Sequence, residues 1–267
     1  MYKISLNLSK DKFKDEFKNY FPNFSFYERS NYWEVDIFTN NILVDLKIIK
    51  ELFRYRIEKI NLIKKKNWID NNSFDPVKTK KFIIRQYNKS NSRFSLSIPA
   101  STAFGTGNHA STYLAILNIE EILKKKNINI SALDIGTGTG ILSFILYRLI
   151  KKKITASDFD INSEDCFKNN LKINNIRNIK FIRCNGFNSK YLNGKKYNLI
   201  VSNILLTPLK RLASKFKRHL KVNGILIISG ILRNQKNDIV NHFSKFNLKL
   251  LKSNYIDDWE SIIFIKK

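Results

Sequence analysis

The chain has few of the residues that build disulfide scaffolds or metal centres. Its 267 residues include only two cysteines, Cys166 and Cys184, and three histidines, His109, His219 and His242. The histidines are far apart in the sequence, so they form no pattern of metal ligands, and we expect no metal. Two cysteines without a secretory signal peptide are typical of free thiols in a reducing compartment, so we expect a cytoplasmic protein. No apolar run has the length needed to span a membrane, and we expect no membrane partner.

Acidic residues are also scarce. The chain has 22 Asp and Glu against 48 Lys and Arg, which gives a formal net charge of +26 and a pI near 10.0. A strong cationic excess is one signature of nucleic-acid binding, because clustered cations release counterions from phosphates. Here the excess is spread over the whole chain together with many Asn and Ile residues, as in a genome rich in A and T. Evenly spread charge is more typical of a solvated surface, so a contact with RNA or with an acidic partner stays an open expectation.

Only nine glycines occur, and three of them stand at alternate positions in one segment, Ser131-Ala-Leu-Asp-Ile-Gly-Thr-Gly-Thr-Gly-Ile-Leu-Ser143. The apolar residues before the first glycine predict a buried parallel strand. Gly136, Gly138 and Gly140 would let the backbone turn sharply and approach a ligand. The dinucleotide fingerprint needs a further glycine where Ile141 stands, so the spacing favours S-adenosylmethionine over NAD. A tight strand-to-helix turn without a ligand is the alternative.

Two acids flank this loop in the predicted topology. Asp158 closes the next predicted strand, where a carboxylate can accept from both hydroxyl groups of a ribose, and a solvated loop acid is its alternative role. Asp160 is the rival for this position, but it is better placed to cap the helix that begins near Ile161. Asp134, at the end of the first strand, is expected to accept from an ammonium group of the cofactor.

From residue 131 onward, short β runs alternate with helical stretches, which predicts a doubly wound α/β sheet. The predicted strands are 131–135, 154–158, 179–184, 197–203 and 224–229, and the predicted helices are 140–150, 161–174, 207–221 and 233–246. The third helix is expected to open with Thr207 as N-cap and Pro208 in its first turn. Residues 247–255 and 259–265 predict an antiparallel hairpin at the sheet edge.

The first residues predict a separate small α+β domain. Its predicted strands are 2–8, 25–28, 32–38 and 42–48, and its predicted helical stretches are 10–20 and 49–60. A polar bridge that contains Lys64-Lys65-Lys66 follows. We therefore expect a domain at 1–65 and a second domain at 66–267.

Two further segments make the prediction specific. The string Phe104-Gly105-Thr106-Gly107-Asn108-His109, followed by Ser111-Thr112, resembles the F-G-T-G-x-H-x-[ST]-T signature of the ribosomal protein methyltransferases of the PrmA type. Val201-Ser-Asn-Ile-Leu-Leu-Thr-Pro-Leu209 is similar to the A-N-I-L-x-x-P-L of this family. Ser229-Gly-Ile-Leu232 and Asp258-Trp259 resemble further family motifs, and so does the linker around Asn67-Trp68. The resemblance covers residues 67–267.

The resemblance implies a Rossmann-like class I methyltransferase fold, with a mostly parallel seven-stranded sheet, and S-adenosylmethionine as cofactor. It also implies that the substrate is the stalk-base protein of the large ribosomal subunit, its eleventh protein, methylated on α-amino or lysine ε-amino groups. The N-terminal domain would recognise that substrate by analogy with the family. The residues that match the family's cofactor contacts are Thr112, Gly136, Asp158 and Asn203.

Several residue roles stay open. Gly138 and Asp134 complete the expected cofactor contacts, and Phe104 is either a cover over the cofactor or a packed core ring. His109 either orients its own loop or accepts a proton. Asn203 is the expected catalytic residue, at the carboxyl end of the fourth strand, where open α/β sheets bind ligands.

One departure from a related pattern bears on the substrate. Methyltransferases that act on planar amines usually have N-P-P-[YF] where this chain has Asn203-Ile-Leu-Leu, so we expect an sp³ amine. The alternatives are a methyltransferase acting on RNA bases and a ribosome-assembly factor without catalytic activity. We expect the chain to be a monomer.

Overall fold

The computed structural model describes residues 2–9, 21, 24–28, 31–39, 41–53, 55–62, 76–86, 92–99, 105–124, 130–150 and 153–267. The chain divides into two compact units, Met1–Ser73 and Phe74–Lys267. The predicted boundary after residue 65 lies within residues 63–75, which are outside the described part of the chain.

The N-terminal unit contains one antiparallel sheet. Its strands are β1 (Tyr2–Ser9), β2 (Phe24–Glu28), β3 (Tyr32–Thr39) and β4 (Ile57–Leu62), in the order β2-β3-β1-β4. Helix α1 (Ile42–Lys47) continues into a π-helical segment, Ile48–Phe53. The first three predicted strands are confirmed, whereas the predicted helix at 10–20 lies outside the described residues.

The predicted strand at 42–48 is wrong, because this segment forms α1. Ile42, Leu46 and Ile49 pack on the core of the unit, at spacings of four and three residues that suit one face of a helix. Leu43 and Val44, between them, are exposed by 78% and 49%. The β-branched composition therefore suggested a strand where the burial follows a helical period.

The predicted helix at 49–60 is correct only in its first residues. The helical segment ends at Phe53, and Ile57–Leu62 forms β4, which pairs antiparallel with β1. β1 therefore has a partner on each side, and its long-range pairing overrides the local helical preference of residues 57–60.

The second unit is a doubly wound α/β domain. Its large sheet consists of β8 (Ala132–Ile135), β9 (Ile154–Asp158), β10 (Ile179–Arg183), β11 (Tyr197–Asn203), β12 (Leu220–Leu232), β13 (Leu248–Ile256) and β14 (Trp259–Lys266). The order is β10-β9-β8-β11-β12-β14-β13, parallel from β10 to β12, with β14 antiparallel to both of its neighbours. This confirms the predicted fold class and the predicted edge hairpin.

The helices of this unit are α2 (Ala110–Ile122), α3 (Ile141–Ile150), α4 (Ile161–Ile173), α5 (Leu206–His219) and α6 (Lys236–Ser244). They cover the sheet with two clusters of buried apolar side chains. The N-cap of α5 is Leu205, so the predicted N-cap at Thr207 is wrong. Thr207 and Pro208 lie in the first turn, where Pro is tolerated because the N–H groups there have no partner within the helix.

A small sheet that the sequence did not reveal precedes α2. It contains β5 (Val77–Lys78), β6 (Ile83–Arg85) and β7 (Ser95–Ser97). The buried Glu120 of α2 holds the turn between β5 and β6. Its carboxylate accepts from Thr79 Oγ1 at 2.6 Å and from the N–H of Lys81 at 2.9 Å.

The structure contains no helix, within the described residues, that is both long and apolar enough to cross a membrane.

Candidate functional site

Three polar side chains meet at the carboxyl edge of the large sheet. Asp134 lies next to the end of β8, Asp158 ends β9 and Asn203 ends β11. These strands are parallel neighbours, with Asp134 paired to Ala156 on one side and to Val201 on the other. Parallel strands place their carboxyl ends at one edge, so the sheet brings the predicted residues together.

The loop after β8 uses the conformational freedom of its glycines. Gly136, Gly138 and Gly140 have φ values of +72°, +52° and +89°, in the left-handed region that favours glycine. A Cβ atom on Gly136 would lie 2.4 Å from Cγ2 of Ile204, in the segment after β11. The N–H of Gly136 donates to the carbonyl of Ser157 at 2.8 Å. The loop is therefore held against the ends of both neighbouring strands, with no room for a side chain at its first glycine.

Asp134 is completely buried and only half of its carboxylate is satisfied. Its Oδ2 accepts from Thr137 Oγ1 at 2.6 Å and from Ser143 Oγ at 2.7 Å. Its Oδ1 is buried and has no hydrogen-bond partner among the described residues. Burial raises the pKa of Asp134 to about 6, against the two hydrogen bonds, which lower it. A buried oxygen without a partner is costly, and a cationic donor would remove that cost.

Asp158 is tied to the glycine loop. Its Oδ2 accepts from the N–H of Gly138 at 2.9 Å, and its Oδ1 accepts from the N–H of Asp160 at 3.1 Å. Asp160 itself is the N-cap of α4 and accepts from the N–H of Asn162 at 2.9 Å, as predicted. A carboxylate has about four lone-pair sites, so two backbone bonds leave Asp158 able to accept further hydrogen bonds.

Asn203 and Thr112, which are distant in sequence, form a buried hydrogen bond. Nδ2 of Asn203 donates to Oγ1 of Thr112 at 3.1 Å, while Oδ1 of Asn203 is buried without a partner in the described part of the chain. Gly230 passes so close that a Cβ there would lie 2.9 Å from this Oδ1. The bond fixes the orientation of the amide and turns its free carbonyl oxygen away from Thr112.

A family model described as "Ribosomal protein L11 methyltransferase (PrmA)" matches residues 6–267. The chain belongs to the ribosomal protein L11 methyltransferase family.

Individual relatives are distant but cover much of the chain. A ribosomal protein L11 methyltransferase from Bradyrhizobium diazoefficiens is 28% identical over 76% of this chain and 72% of its own length. One from Dictyoglomus turgidum is 27% identical over 90% of this chain and 82% of its own. A crystal structure of ribosomal protein L11 methylase from Lactobacillus delbrueckii subsp. bulgaricus is similar with a TM-score of 0.65 at 25% identity, over 73% of this chain and all of that one.

Family membership and fold make this chain a methyltransferase and imply S-adenosylmethionine as its cofactor. The structure fits that group in one respect, because the Oδ1 of Asp134, which has no hydrogen-bond partner among the described residues, offers an acceptor to an ammonium. The roles of the individual residues as cofactor contacts stay predictions.

The structure places six of the seven predicted site residues around this edge. They are Thr112, Asp134, Gly136, Gly138, Asp158 and Asn203. The seventh, Phe104, lies outside the described residues.

His109 lies at the start of the helix that carries Thr112. It is the N-cap of α2, and its Nδ1 accepts from the N–H of Ser111 at 3.3 Å and lies 2.8 Å from Ser111 Oγ. Its ring also meets the Trp259 ring edge-on, with centroids 4.5 Å apart. These contacts fix the start of the helix that carries Thr112, so they favour the loop-orienting role over proton transfer.

Sequence reasoning missed the residues that support the site. Thr137 and Ser143 bond Asp134, and Ser229 Oγ donates to the carbonyl of Ser111 at 2.7 Å, which seats α2 on β12. Ser229 and Gly230 belong to a segment that resembles a family motif, so the sequence marked them but did not indicate what they contact. Thr137 and Ser143 carried a weaker signal, as small polar residues beside a buried acid.

Proposed function

We propose that this protein transfers methyl groups from S-adenosylmethionine to α-amino groups, lysine ε-amino groups or both on ribosomal protein L11. The observation that carries the proposal is a pair of buried oxygens, Asp134 Oδ1 and Asn203 Oδ1, which have no hydrogen-bond partner in the described part of the chain and lie on neighbouring strand ends beside the glycine loop. The names of the family and of its relatives supply the identity of the substrate.

The cofactor side of the site follows from the acids and the loop. Asp134 Oδ1 would accept from the ammonium of the methionine part, and Asp158 would accept from the ribose hydroxyl groups. Gly136 and Gly138 would let the backbone approach the ligand. The bound cofactor supplies a methyl group that its sulfonium has already activated.

The substrate side depends on Asn203. Its free Oδ1 would accept an N–H of the incoming amine and point the nitrogen lone pair at the methyl group, so that catalysis consists mainly of positioning and exclusion of water. The amine must be neutral to react. An α-amino group titrates near pH 8 and a lysine near 10.4, so the α-amine is the easier target, and a lysine needs a desolvated setting.

The test is transfer of labelled methyl groups from S-adenosylmethionine to purified L11 of the source organism, with naked ribosomal RNA assayed separately. Label in L11, mapped by mass spectrometry to amino groups, is the expected result. Label in RNA alone would overturn the proposed substrate. Cofactor binding without transfer to either would overturn the proposed activity.

Single substitutions test the proposed roles of Asn203 and Asp158 separately. We expect Asn203→Ala to lower kcat at least about a hundredfold, because positioning is lost at the reacting amine. Asp158→Ala should instead weaken cofactor binding. Asn241→Ala, an exposed amide on α6, is the matched control and should keep wild-type rates.

A further inference from the structure

A second concave surface lies at the opposite edge of the large sheet. It has a volume of about 960 Å³ and is lined at the starts of the parallel strands β8 to β11 by residues such as Ser131, Lys153, Asn178 and Asn198. β9 crosses the sheet in five residues, Ile154–Asp158, so about 13 Å separates this surface from the carboxyl edge. The two sites are therefore distinct. We call the surface the amino-edge pocket.

The charges that line the amino-edge pocket have one sign. Lys153, Arg177, Lys180 and Lys221 line it, and none of the described lining residues is acidic. Within the described chain, none of these four cations forms an ion pair with a carboxylate. Four uncompensated cations around one concavity attract a polyanion, because hollow surfaces focus the field of their charges.

Neighbouring groups report the same positive potential. Lys180 and Lys195 hold their ammonium groups 3.4 Å and 3.0 Å from the centroid of the Tyr191 ring. The hydrogen bond and charge of Lys195, with the charge of Lys180, lower the pKa of the Tyr191 phenol.

We propose that the amino-edge pocket binds the phosphate backbone of RNA. Among its neutral polar groups, Asn178 and Tyr191 add amide and hydroxyl donors, and phosphate oxygens only accept, whereas Ser131 Oγ and Lys221 Nζ already donate to Asn198 Oδ1. The choice of RNA over another polyanion rests on the proposed function, since a ribosomal protein substrate lies beside ribosomal RNA. The pocket would hold the enzyme near its substrate without taking part in methyl transfer.

The test uses the full chain and a fluorescently labelled RNA hairpin of about 20 nucleotides, with binding followed by anisotropy over a range of salt concentrations. The pocket variant combines Lys153→Gln, Arg177→Gln and Lys221→Gln. The matched control, Arg211→Gln with Lys245→Gln and Lys249→Gln, removes the same number and kinds of charge from exposed positions outside the pocket.

We expect the pocket variant to bind the hairpin at least about tenfold more weakly at 100 mM salt, with the slope of log K against log salt reduced by about 2 to 3. The control should stay within about twofold of wild type. Equal losses in both variants, or none in the pocket variant, would overturn the proposal. So would competition by poly-glutamate as effective as that by unlabelled RNA, since the pocket would then be a site for acidic protein.

Two readouts separate this proposal from the proposed function. The pocket variant should methylate free L11 at the wild-type rate, because its substitutions lie at the far edge of the sheet. A second measurement does not depend on the folding of a variant, because it follows the acetylation of Lys153 and Lys221 in the wild-type chain. Bound hairpin should slow that labelling while leaving Lys245 unaffected, and unchanged labelling of both pocket lysines would contradict the proposal.

Discussion

Asp134 shows how a residue of the candidate site can oppose folding. Its carboxyl group is fully buried, and its pKa rises from 3.8 to about 6, chiefly through burial. The folded state therefore binds an extra proton between these pH values, and the contribution of Asp134 to the free energy of unfolding falls as pH rises from about 4 to above 6. The shift corresponds to a cost on the order of 3 kcal/mol at neutral pH.

We expect Asp134→Asn to raise the free energy of unfolding of the ligand-free protein at pH 7.5, by up to about 3 kcal/mol, and to change it much less at pH 4.5. The reason is that the variant carries no charge to bury at either pH. Urea unfolding at the two pH values measures this, with Asp165→Asn, an exposed carboxylate on α4, as the control. A difference between wild type and Asp134→Asn that does not depend on pH would contradict it. Cofactor affinity should fall in the same variant, since the ammonium loses its charged partner.

Two glycines distinguish the cost of a left-handed backbone conformation from the cost of a steric collision. Gly136 and Gly194 have nearly the same φ, +72° and +71°, but a Cβ at Gly136 would collide with Ile204, whereas one at Gly194 would meet nothing within 4 Å. We expect Gly194→Ala to lower the free energy of unfolding by about 1 kcal/mol and Gly136→Ala by at least about twice that. Urea unfolding of both variants measures this, and equal losses would show that the collision relaxes freely.

At the residue scale, the sequence predicted where the site residues lie better than it predicted which groups they contact. Asp158 and Asn203 were predictable because a strand followed by a polar residue fixes which edge that residue occupies. Gly230 was not assignable to the site, because its closeness to Asn203 depends on the register between β11 and β12, which pairs Asn203 with Ser229. Register is a property of the assembled sheet.

At the scale of elements, α2 joins the glycine-containing segment that precedes it, residues 105–109, to the large sheet. Ser229 Oγ holds the carbonyl of Ser111 and Asn203 holds the hydroxyl of Thr112, so two successive residues at the start of α2 are bonded to two strands. The helix is thereby fixed at the carboxyl edge, where it completes the site.

We expect Thr112→Val to lower kcat and to reduce the free energy of unfolding by about 1 to 3 kcal/mol, because the buried Nδ2 of Asn203 loses its acceptor. Thr112→Ser keeps the hydroxyl group and should restore most of the activity. Steady-state kinetics and urea unfolding of both variants measure these effects. Equal loss of activity in the two variants would mean that the methyl group of Thr112 matters and not the hydrogen bond.

The elements themselves were predicted unevenly, for a physical reason. In the second unit, strands alternate with amphipathic helices, and each predicted strand is present. In the first unit, the predictions for residues 42–60 were wrong in part. Short apolar runs fit both the helical and the strand period, and packing against β1 decides between them. The small sheet β5-β6-β7 has strands of two or three residues, which are too short to give a pattern.

At the scale of the whole molecule, the two edges of the large sheet carry groups of opposite charge. The carboxyl edge holds the buried acids Asp134 and Asp158, which suit a cofactor with a positive charge. The amino-edge pocket holds four cations that form no ion pair with a described carboxylate, in line with the proposed phosphate site. Net charge alone could not distinguish a solvated surface from a binding site, since that distinction depends on which lysines converge in space.

A ligand that binds only the folded state should stabilise the whole chain. S-adenosylhomocysteine at about 100 times its Kd should stabilise the fold by about 2.7 kcal/mol and raise the melting temperature by roughly 5 to 10 °C. NAD at the same concentration should cause no shift, because Ile141 stands where its fingerprint needs glycine and the loop keeps the G-x-G-x-G spacing. Scanning fluorimetry measures both ligands, with Asp134→Asn as the variant whose shift should shrink. A shift with NAD as large as that with S-adenosylhomocysteine would contradict the assignment of the glycine loop, because the spacing would then not select between the two cofactor classes.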